Sequence, residues 1–144
     1  MTDFDAKHRP TLERSLAPGE ALEGVCAASQ QQGLFKGRAV AIGVTDRRLI
    51  LQPLDRRGDA AGEPGSITPA DLADASADGV SGGWPNLAAA LADRMAVKLT
   101  IRTTSGEKLK LMMMRGEGRL GGGEGQQQGV AALASWFERA GTSG

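Results

Sequence analysis

The side chains that most often carry out catalysis are scarce in this chain. Its 144 residues include one histidine, His8, and one cysteine, Cys26. A zinc site built from Cys and His needs several such ligands, so these two residues do not make one. Nucleophilic catalysis of the Ser-His-Asp kind would need His8 held rigidly beside a buried serine, but His8 lies in a stretch that we expect to be an exposed arm. We therefore predict no catalytic site, no metal and no other cofactor, and we interpret Cys26 as a buried apolar residue.

Two further patterns contain the residue types of a binding or catalytic site. Asp71, Asp74 and Asp78 could serve as cation ligands or as a carboxylate pair, but their spacing lacks the ligand order of a calcium loop. We interpret them as the polar face of a turn and a strand. Segment 116–123 is rich in glycine, yet it lacks a parallel βαβ context and glutamines follow it. We interpret it as part of a linker, so neither pattern predicts an active site.

Basic, aromatic and methionine side chains are better candidates for an interaction surface. Arginine forks bind phosphate or carboxylate groups well, and exposed tryptophan and methionine side chains suit protein contacts. The candidate interaction residues are Lys36, Arg38, Arg47, Arg48, Trp84, Met112 and Met114. Together with Arg56 and Arg57, the four cations could form one basic rim or simply the solvated end of a hairpin. The tryptophan could instead fold back onto the core, and a helix could cover the two methionines.

The charges cancel overall but are arranged in blocks. Formal net charge is zero, so no global field attracts nucleic acid or an anionic membrane. Residues 33–58 and 94–119 are mainly basic, whereas residues 59–93 carry acidic side chains and no lysine or arginine. Aromatic residues make up 3% of the chain, which argues against nucleic-acid binding through base stacking. The polar N-terminus resembles no signal peptide and no segment is apolar enough to span a membrane, so we expect a cytoplasmic protein.

Alternating apolar residues predict a mainly β protein. Val97, Leu99 and Ile101 alternate with polar residues, and the alternation resumes after a Thr-Ser-Gly break, which is typical of a β-hairpin with one buried face. Ala39, Ala41 and Gly43 provide small residues on one side of another strand, where a neighbouring element could pack closely or the strand could bend strongly. The predicted strands cover residues 20–28, 38–45, 48–54, 66–68, 72–80 and the hairpin 97–114.

Three helices complete the predicted fold. We expect a short helix over residues 11–17, a short inserted helix near residues 85–95, and a C-terminal helix over residues 127–140 with Trp136 in the core. The organisation we predict is a flexible N-terminal arm, residues 1–10, followed by a single domain over residues 11–141. Its fold class is an antiparallel β-barrel or sandwich of about seven strands, capped by the C-terminal helix.

Two short motifs give this outline a family resemblance. The stretch from Gly43 to Leu51 contains Thr-Asp-Arg-Arg-Leu, and Leu16 to Glu20 contains Leu-Ala-Pro-Gly-Glu. Both resemble motifs of bacterial pleckstrin-homology-like (PH-like) domains, and the C-terminal helix with Trp136 resembles the helix that plugs one end of their barrel. The resemblance covers about residues 14–140 and implies a PH-like fold. The region around Lys36 and Arg38 matches the phosphoinositide-binding signature of such domains only in part.

These observations lead to two hypotheses about function. The first is a non-enzymatic PH-like module in the bacterial cytoplasm that binds a protein or peptide, or associates with itself through its basic and acidic surfaces. The alternative is peripheral binding of anionic phospholipid head groups through the basic rim, which a net charge of zero disfavours. Because PH-like folds host many ligands, the fold alone does not choose between them.

Overall fold

The computed structural model describes residues 4–31, 37–55, 57–78, 80, 83–94, 96–114 and 126–140. These residues form three α-helices, seven β-strands and two short 3-10 helices. In chain order the elements are α1 (Phe4–Glu13), β1 (Leu22–Gln31), β2 (Gly37–Thr45), β3 (Leu49–Pro53), β4 (Gly65–Ile67), a 3-10 helix (Pro69–Asp71), β5 (Leu72–Ala77), a second 3-10 helix (Trp84–Asn86), α2 (Leu87–Arg94), β6 (Ala96–Thr103), β7 (Lys108–Met114) and α3 (Gln126–Arg139).

The seven described strands form one antiparallel sheet that curls into a half-barrel. Their order is β4-β3-β2-β1-β7-β6-β5, so the two edges are β4 and β5. The predicted hairpin is present as β6 and β7, with Val97 opposite Met113 and Ile101 opposite Leu109. The alternation rule is confirmed because the side chains of Val97, Ile101 and Met113 are buried. This architecture confirms the predicted mainly β class, with a short inserted helix and a C-terminal helix.

The main hydrophobic core lies on one face of the sheet, which we call the inner face. It contains alternate residues of the strands together with the apolar sides of α2 and α3. Phe137 stands at its centre: its ring stacks on Trp84 with centroids 4.5 Å apart and meets the edge of Trp136 at 5.3 Å. The prediction that Trp136 belongs to the core is therefore confirmed. Cys26 is also fully buried, as its position in an alternating strand indicated.

Helix α1 packs on the opposite, outer face of the sheet. Leu12 joins a second apolar cluster there with Val25, Ala41 and Ile50. The small residues of β2 make this contact possible, since a methyl group at Gly43 would lie 3.3 Å from the Leu12 side chain. The structure thus shows that α1 is the element that packs against the small residues of β2.

The N-terminal helix begins earlier than the sequence suggested. We predicted a flexible arm over residues 1–10 and a helix over residues 11–17, but α1 spans Phe4–Glu13. The prediction that His8 is exposed is wrong, because the structure buries it to 3% exposure. The physical reason is tertiary packing: α1 has a weak apolar stripe and contains Pro10, so its contact with the sheet, and not its own periodicity, stabilises it.

Helix α3 approaches β1 closely at a pair of glycines. A methyl group at Gly129 would overlap the Val25 carbonyl group, and one at Gly24 would lie 2.7 Å from the Cβ atom of Ala132. The side chain of Gln126, at the start of α3, reaches the backbone of Ala27. Its Oε1 atom accepts a hydrogen bond from the Ala27 N–H at 2.8 Å, and its Nε2 atom donates to the Ala27 carbonyl at 2.9 Å. Ala27 lies just before the first residue of β1 that pairs with β7, so the two hydrogen bonds from Gln126 take the place of a neighbouring strand there.

Candidate functional site

The two motifs behind the family resemblance bind each other. Glu20 is buried, and its Oε2 atom accepts hydrogen bonds from Thr45 Oγ1 at 2.7 Å and from Arg48 Nε at 3.0 Å. Its Oε1 atom accepts from the Ala17 N–H at 2.9 Å and from Arg48 Nη2 at 3.1 Å. The same Nη2 atom donates to the Ser15 carbonyl at 2.6 Å. The motifs therefore form a structural link between the start of β1 and the β2–β3 turn.

This link explains the ionisation of its two charged groups. The hydrogen bond from Arg48 is the largest influence on Glu20 and outweighs the opposing effect of burial, so the pKa of Glu20 falls from 4.5 to about 2. The same hydrogen bond raises the pKa of Arg48. Both groups are charged at neutral pH and satisfy each other. Arg48, one of our candidate interaction residues, is thus engaged inside the fold.

The other predicted rim residues are not brought together. Arg38 lies near the start of β2 and Arg47 lies just beyond its end, so roughly 23 Å of strand separates their backbones. Arg38 donates a hydrogen bond from Nη2 to the Ala61 carbonyl at 3.0 Å, whereas Arg47 is exposed. Lys36 lies outside the described residues. Among the residues that the structure describes, the predicted cations do not form one rim.

The other predicted interaction residues, one tryptophan and two methionines, also lie in different surroundings. Trp84 is only 3% exposed and stacks on Phe137, so its use as an exposed interface anchor is ruled out by burial. The other possibility that we stated, that it folds back onto the core, is the observed one. Met112 is half-buried on the outer face of β7, as the alternation predicted. The backbone of Met114 continues the same strand, but its side chain lies outside the described part of the molecule.

Met112 borders a group of cations that we did not single out from the sequence. Basic side chains occupy alternate positions on the outer face of β6 and β7, opposite the buried residues of the same strands. We call this group the β6–β7 basic face; it consists of Lys98, Arg102, Lys108 and Lys110. The signal that could have identified it was the same period-two alternation that predicted the hairpin. Hairpin register, which single-strand patterns do not give, is what assembles the four cations.

The β6–β7 basic face is electrostatically unusual for a sheet. Arg102 lies directly opposite Lys108, and Lys110 lies two residues along the same strand. Like charges directly opposite each other destabilise a strand pair. Within the part of the chain that the structure describes, none of the four cations makes an ion pair. The fold thus retains a repulsion that an acidic partner would relieve.

Acidic side chains lie next to this face on the edge strand. Asp74 of β5 is exposed and lies opposite Arg102 of β6, without an ion pair between them in the described chain. Asp78 follows β5, and its N–H donates to the Lys98 carbonyl at 2.9 Å. The three neighbouring strands therefore present one acidic group on β5, with Asp78 just beyond its end, and basic groups on β6 and β7.

A separate cleft opens at one end of the half-barrel. It has a volume of about 420 Å³, and none of its lining residues belongs to α3. Leu51, Ile67 and Leu109 provide apolar walls, while the carboxylates of Asp71 and Glu107 lie among the polar ones. No lysine or arginine lines the described cleft, so its charge is unsuited to a phosphate group.

Three of the residues that we considered for catalysis, His8, Cys26 and Asp71, are either buried or engaged in stabilising local structure. Burial raises the pKa of the Cys26 thiol to about 12 and lowers the pKa of His8 below its ordinary value, so both are neutral at pH 7. Asp71 closes a capping box with Thr68 at the start of the first 3-10 helix. No group of three His, Cys, Asp or Glu side chains that could hold a metal ion occurs among the described residues. No helix in this portion of the chain has the length and apolar character needed to cross a bilayer.

Comparisons with known proteins show the fold but no family. No protein-family model matches the chain, and no curated protein sequence matches it. Among solved structures, the hSac2 domain from the human phosphoinositide phosphatase Sac2 matches with a TM-score of 0.53 and 13% identity, over 94% of this chain and 80% of that one. The C-terminal domain of an unknown protein from Leishmania infantum matches with a TM-score of 0.50 and 16% identity, over 94% of both chains. At these identities the likeness is one of fold alone.

Proposed function

We propose that this chain is a non-enzymatic binding module of PH-like fold, located in the cytoplasm, that docks an acidic protein surface. The observation that carries the proposal is the β6–β7 basic face. Its cations lie together on a strand surface that no helix of the described chain covers, and Met112 adds an adaptable apolar contact at its border. Arginine and lysine side chains at this spacing complement carboxylates of a partner.

A protein partner suits this surface better than a membrane does. The same outer surface includes Asp74 on β5, one strand away from the basic residues. An anionic bilayer presents negative charge everywhere, so it would repel this carboxylate as it attracted the cations. A folded partner can place acidic groups over β6 and β7 and a basic or neutral group over β5. The mixture of basic and acidic groups on this surface therefore favours a protein partner whose own charges are arranged to complement it.

Anionic phospholipid remains the second candidate because one observation favours it. Four cations on a face attract an anionic membrane with roughly 1 kcal/mol each when they lie near its surface. The hSac2 domain, which shares the fold, is described as part of a phosphoinositide phosphatase. The structural basis would be the β6–β7 basic face and not the originally predicted rim, since Arg48 is bound to Glu20 and Arg38 lies far from Arg47.

The proposal is tested with a labelled peptide of ten glutamates as the probe. Fluorescence anisotropy at 50 mM salt measures its binding to the wild type and to Lys108→Glu/Lys110→Glu. We expect this variant to weaken binding at least about tenfold, since it replaces two attractive charges by repulsive ones. The matched control is Arg14→Glu/Arg57→Glu, which makes the same change in net charge at two exposed positions away from the face.

The outcomes separate the two candidates. Equal loss of peptide binding in the face variant and the control would show that only net charge matters, and the proposed docking surface would be wrong. Sedimentation with vesicles containing 30% phosphatidylserine provides the second arm. Binding of the wild type to vesicles but not to the peptide, lost in the face variant, would replace the protein partner with a lipid one. Thermal unfolding of each variant verifies that the fold is intact.

A further inference from the structure

We propose that the acidic surface recognised by this chain belongs to a second copy of the chain, which packs face to face on the outer surface of β5 and β6. This inference rests on the proposed function and names its partner. The observation behind it is that Asp74 and Arg102 lie side by side, exposed, on neighbouring strands. A surface that carries both signs of charge in adjacent rows can be complementary to itself.

The arrangement follows from the register of the two strands. A twofold axis that runs parallel to the strands, above the gap between β5 and β6, brings β5 of each copy over β6 of the other. Because β5 and β6 are paired residue by residue, the axis places Asp74 over Arg102 of the second copy, and Ser76 over its Thr100. The twofold repeats each contact, as in any isologous dimer. Sheets packed in this way lie about 10 Å apart, a gap that an arginine and an aspartate side chain fill together.

Other arrangements of the same strands bring like charges together. Pairing of two β5 edges would extend the sheet across both copies, and in the register centred on Asp74 it would oppose Asp74 to Asp74 of the second copy; charged edge strands resist such pairing. A twofold axis directly above β6 would place Arg102 over Arg102 of the second copy. Of these arrangements, the axis between β5 and β6 is the one that places the acidic Asp74 of one copy over the basic Arg102 of the other.

The size of the surface predicts a weak and salt-sensitive association. With this axis only β5 and β6 of the two copies overlap, and Lys108 and Lys110 of β7 lie outside the contact. The six residues of β5 and the eight of β6 cover roughly 220 Å² in each copy, so the dimer buries well under the roughly 1,200 Å² of a typical stable complex. Net charge adds no repulsion, because each copy carries a formal charge of zero. The dimer therefore depends on local charge pairs, whose range shrinks to about 4 Å at 500 mM salt.

Charge-reversal variants test the pairing. Sedimentation velocity of the full chain is measured from 10 to 500 µM at 50 mM and 500 mM salt. The wild type should shift toward twice the monomer mass at 50 mM and return toward the monomer at 500 mM. At the level of this pair, Asp74→Arg leaves two cations and Arg102→Asp two carboxylates, so each variant alone should stay monomeric. An equimolar mixture of the two should form a heterodimer, and the double variant Asp74→Arg/Arg102→Asp should regain self-association.

The matched controls are Glu13→Arg and Arg14→Asp, which make the same charge reversals at exposed positions near the end of α1. They should dimerise like the wild type. A wild type that stays monomeric at 500 µM while the glutamate peptide still binds would overturn the dimer and leave the proposed function standing. Loss of peptide binding as well would overturn both. A dimer that resists 500 mM salt, or a variant mixture that stays monomeric, would also refute the charge pairing.

Discussion

Replacing the carboxylate of Glu20 should remove a defined part of the pH dependence of folding. The folded state lowers the pKa of Glu20 from 4.5 to about 2, with the hydrogen bond from Arg48 as the main cause. A group whose pKa is lowered on folding stabilises the folded state above its unfolded pKa, and this stabilisation disappears as the pH falls through the folded pKa. At about 1.4 kcal/mol for each pKa unit, Glu20 contributes on the order of 3 kcal/mol at neutral pH. The contribution should be lost between about pH 4.5 and pH 2.

Urea unfolding at several pH values measures this contribution in the wild type and in Glu20→Gln. The free energy of unfolding of the variant should be lower at pH 7, and the difference from the wild type should shrink by about 3 kcal/mol as the pH falls to 2. Using the difference cancels the titration of the other carboxylates. The matched control is Glu23→Gln, which removes an exposed ion pair with Arg139 at 2.8 Å. Exposed pairs contribute roughly 0–1 kcal/mol, so this control should differ little from the wild type at any pH.

The reasoning fails if the difference between wild type and Glu20→Gln stays constant from pH 7 to pH 2. That result would mean that Glu20 keeps an ordinary pKa in the folded protein and that its contacts with Arg48 and Thr45 are not formed in solution. A second variant, Arg48→Ala, checks the partner. It leaves the buried carboxylate without its main donor, so we expect a loss of about 3–5 kcal/mol at pH 7, which corresponds to a fall in Tm of roughly 10 °C or more.

Three further predictions concern the packing of the cap and the core. Gly129→Ala should destabilise the fold by at least about 2 kcal/mol in urea unfolding, because its methyl group would overlap the Val25 carbonyl, whereas Gly65→Ala, with open space around it, should change little. Trp84→Ala should lower the free energy of unfolding by about 3–5 kcal/mol and leave glutamate-peptide binding unchanged in the folded fraction, since the ring is buried in the core. Cys26, with its pKa raised to about 12, should react with a thiol reagent only when the protein unfolds, and rapid reaction of the native protein would contradict its burial.

The strands and the last two helices could be predicted because their signals are local. Val97 and Leu99 alternate with polar residues, and the sheet buries them as the alternation indicated. Helix α3 was predicted within one residue at each end from its apolar stripe. The start of α1 could not be found in this way. That helix is stabilised by its contact with the small residues of β2, and the spacing of apolar residues within 4–13 does not reveal this contact.

The candidate site was harder to predict because it depends on which residues face each other across strands. Arg48 looks like a solvent-facing turn residue in the sequence, but Glu20, 28 positions earlier, captures it. Lys108 and Arg102 look like ordinary polar positions of a hairpin until the register places them directly opposite each other. Contacts across strands decide both cases, one between distant segments and one within a hairpin, and the residue pattern of a single strand does not specify them.

In the structure, the residues behind the family resemblance are separate from the proposed binding surface. The two motifs that resemble PH-like domains consist of residues that bond to each other: Glu20 with Thr45 and Arg48, and the Ala21 N–H with the Asp46 carboxylate at 3.0 Å. Side chains engaged in this way hold β1 against the β2–β3 turn, and they are unavailable to a ligand. Under the proposed function, specificity resides in residues that the fold does not use. The cations of β6 and β7, which make no ion pair among the described residues, meet that condition.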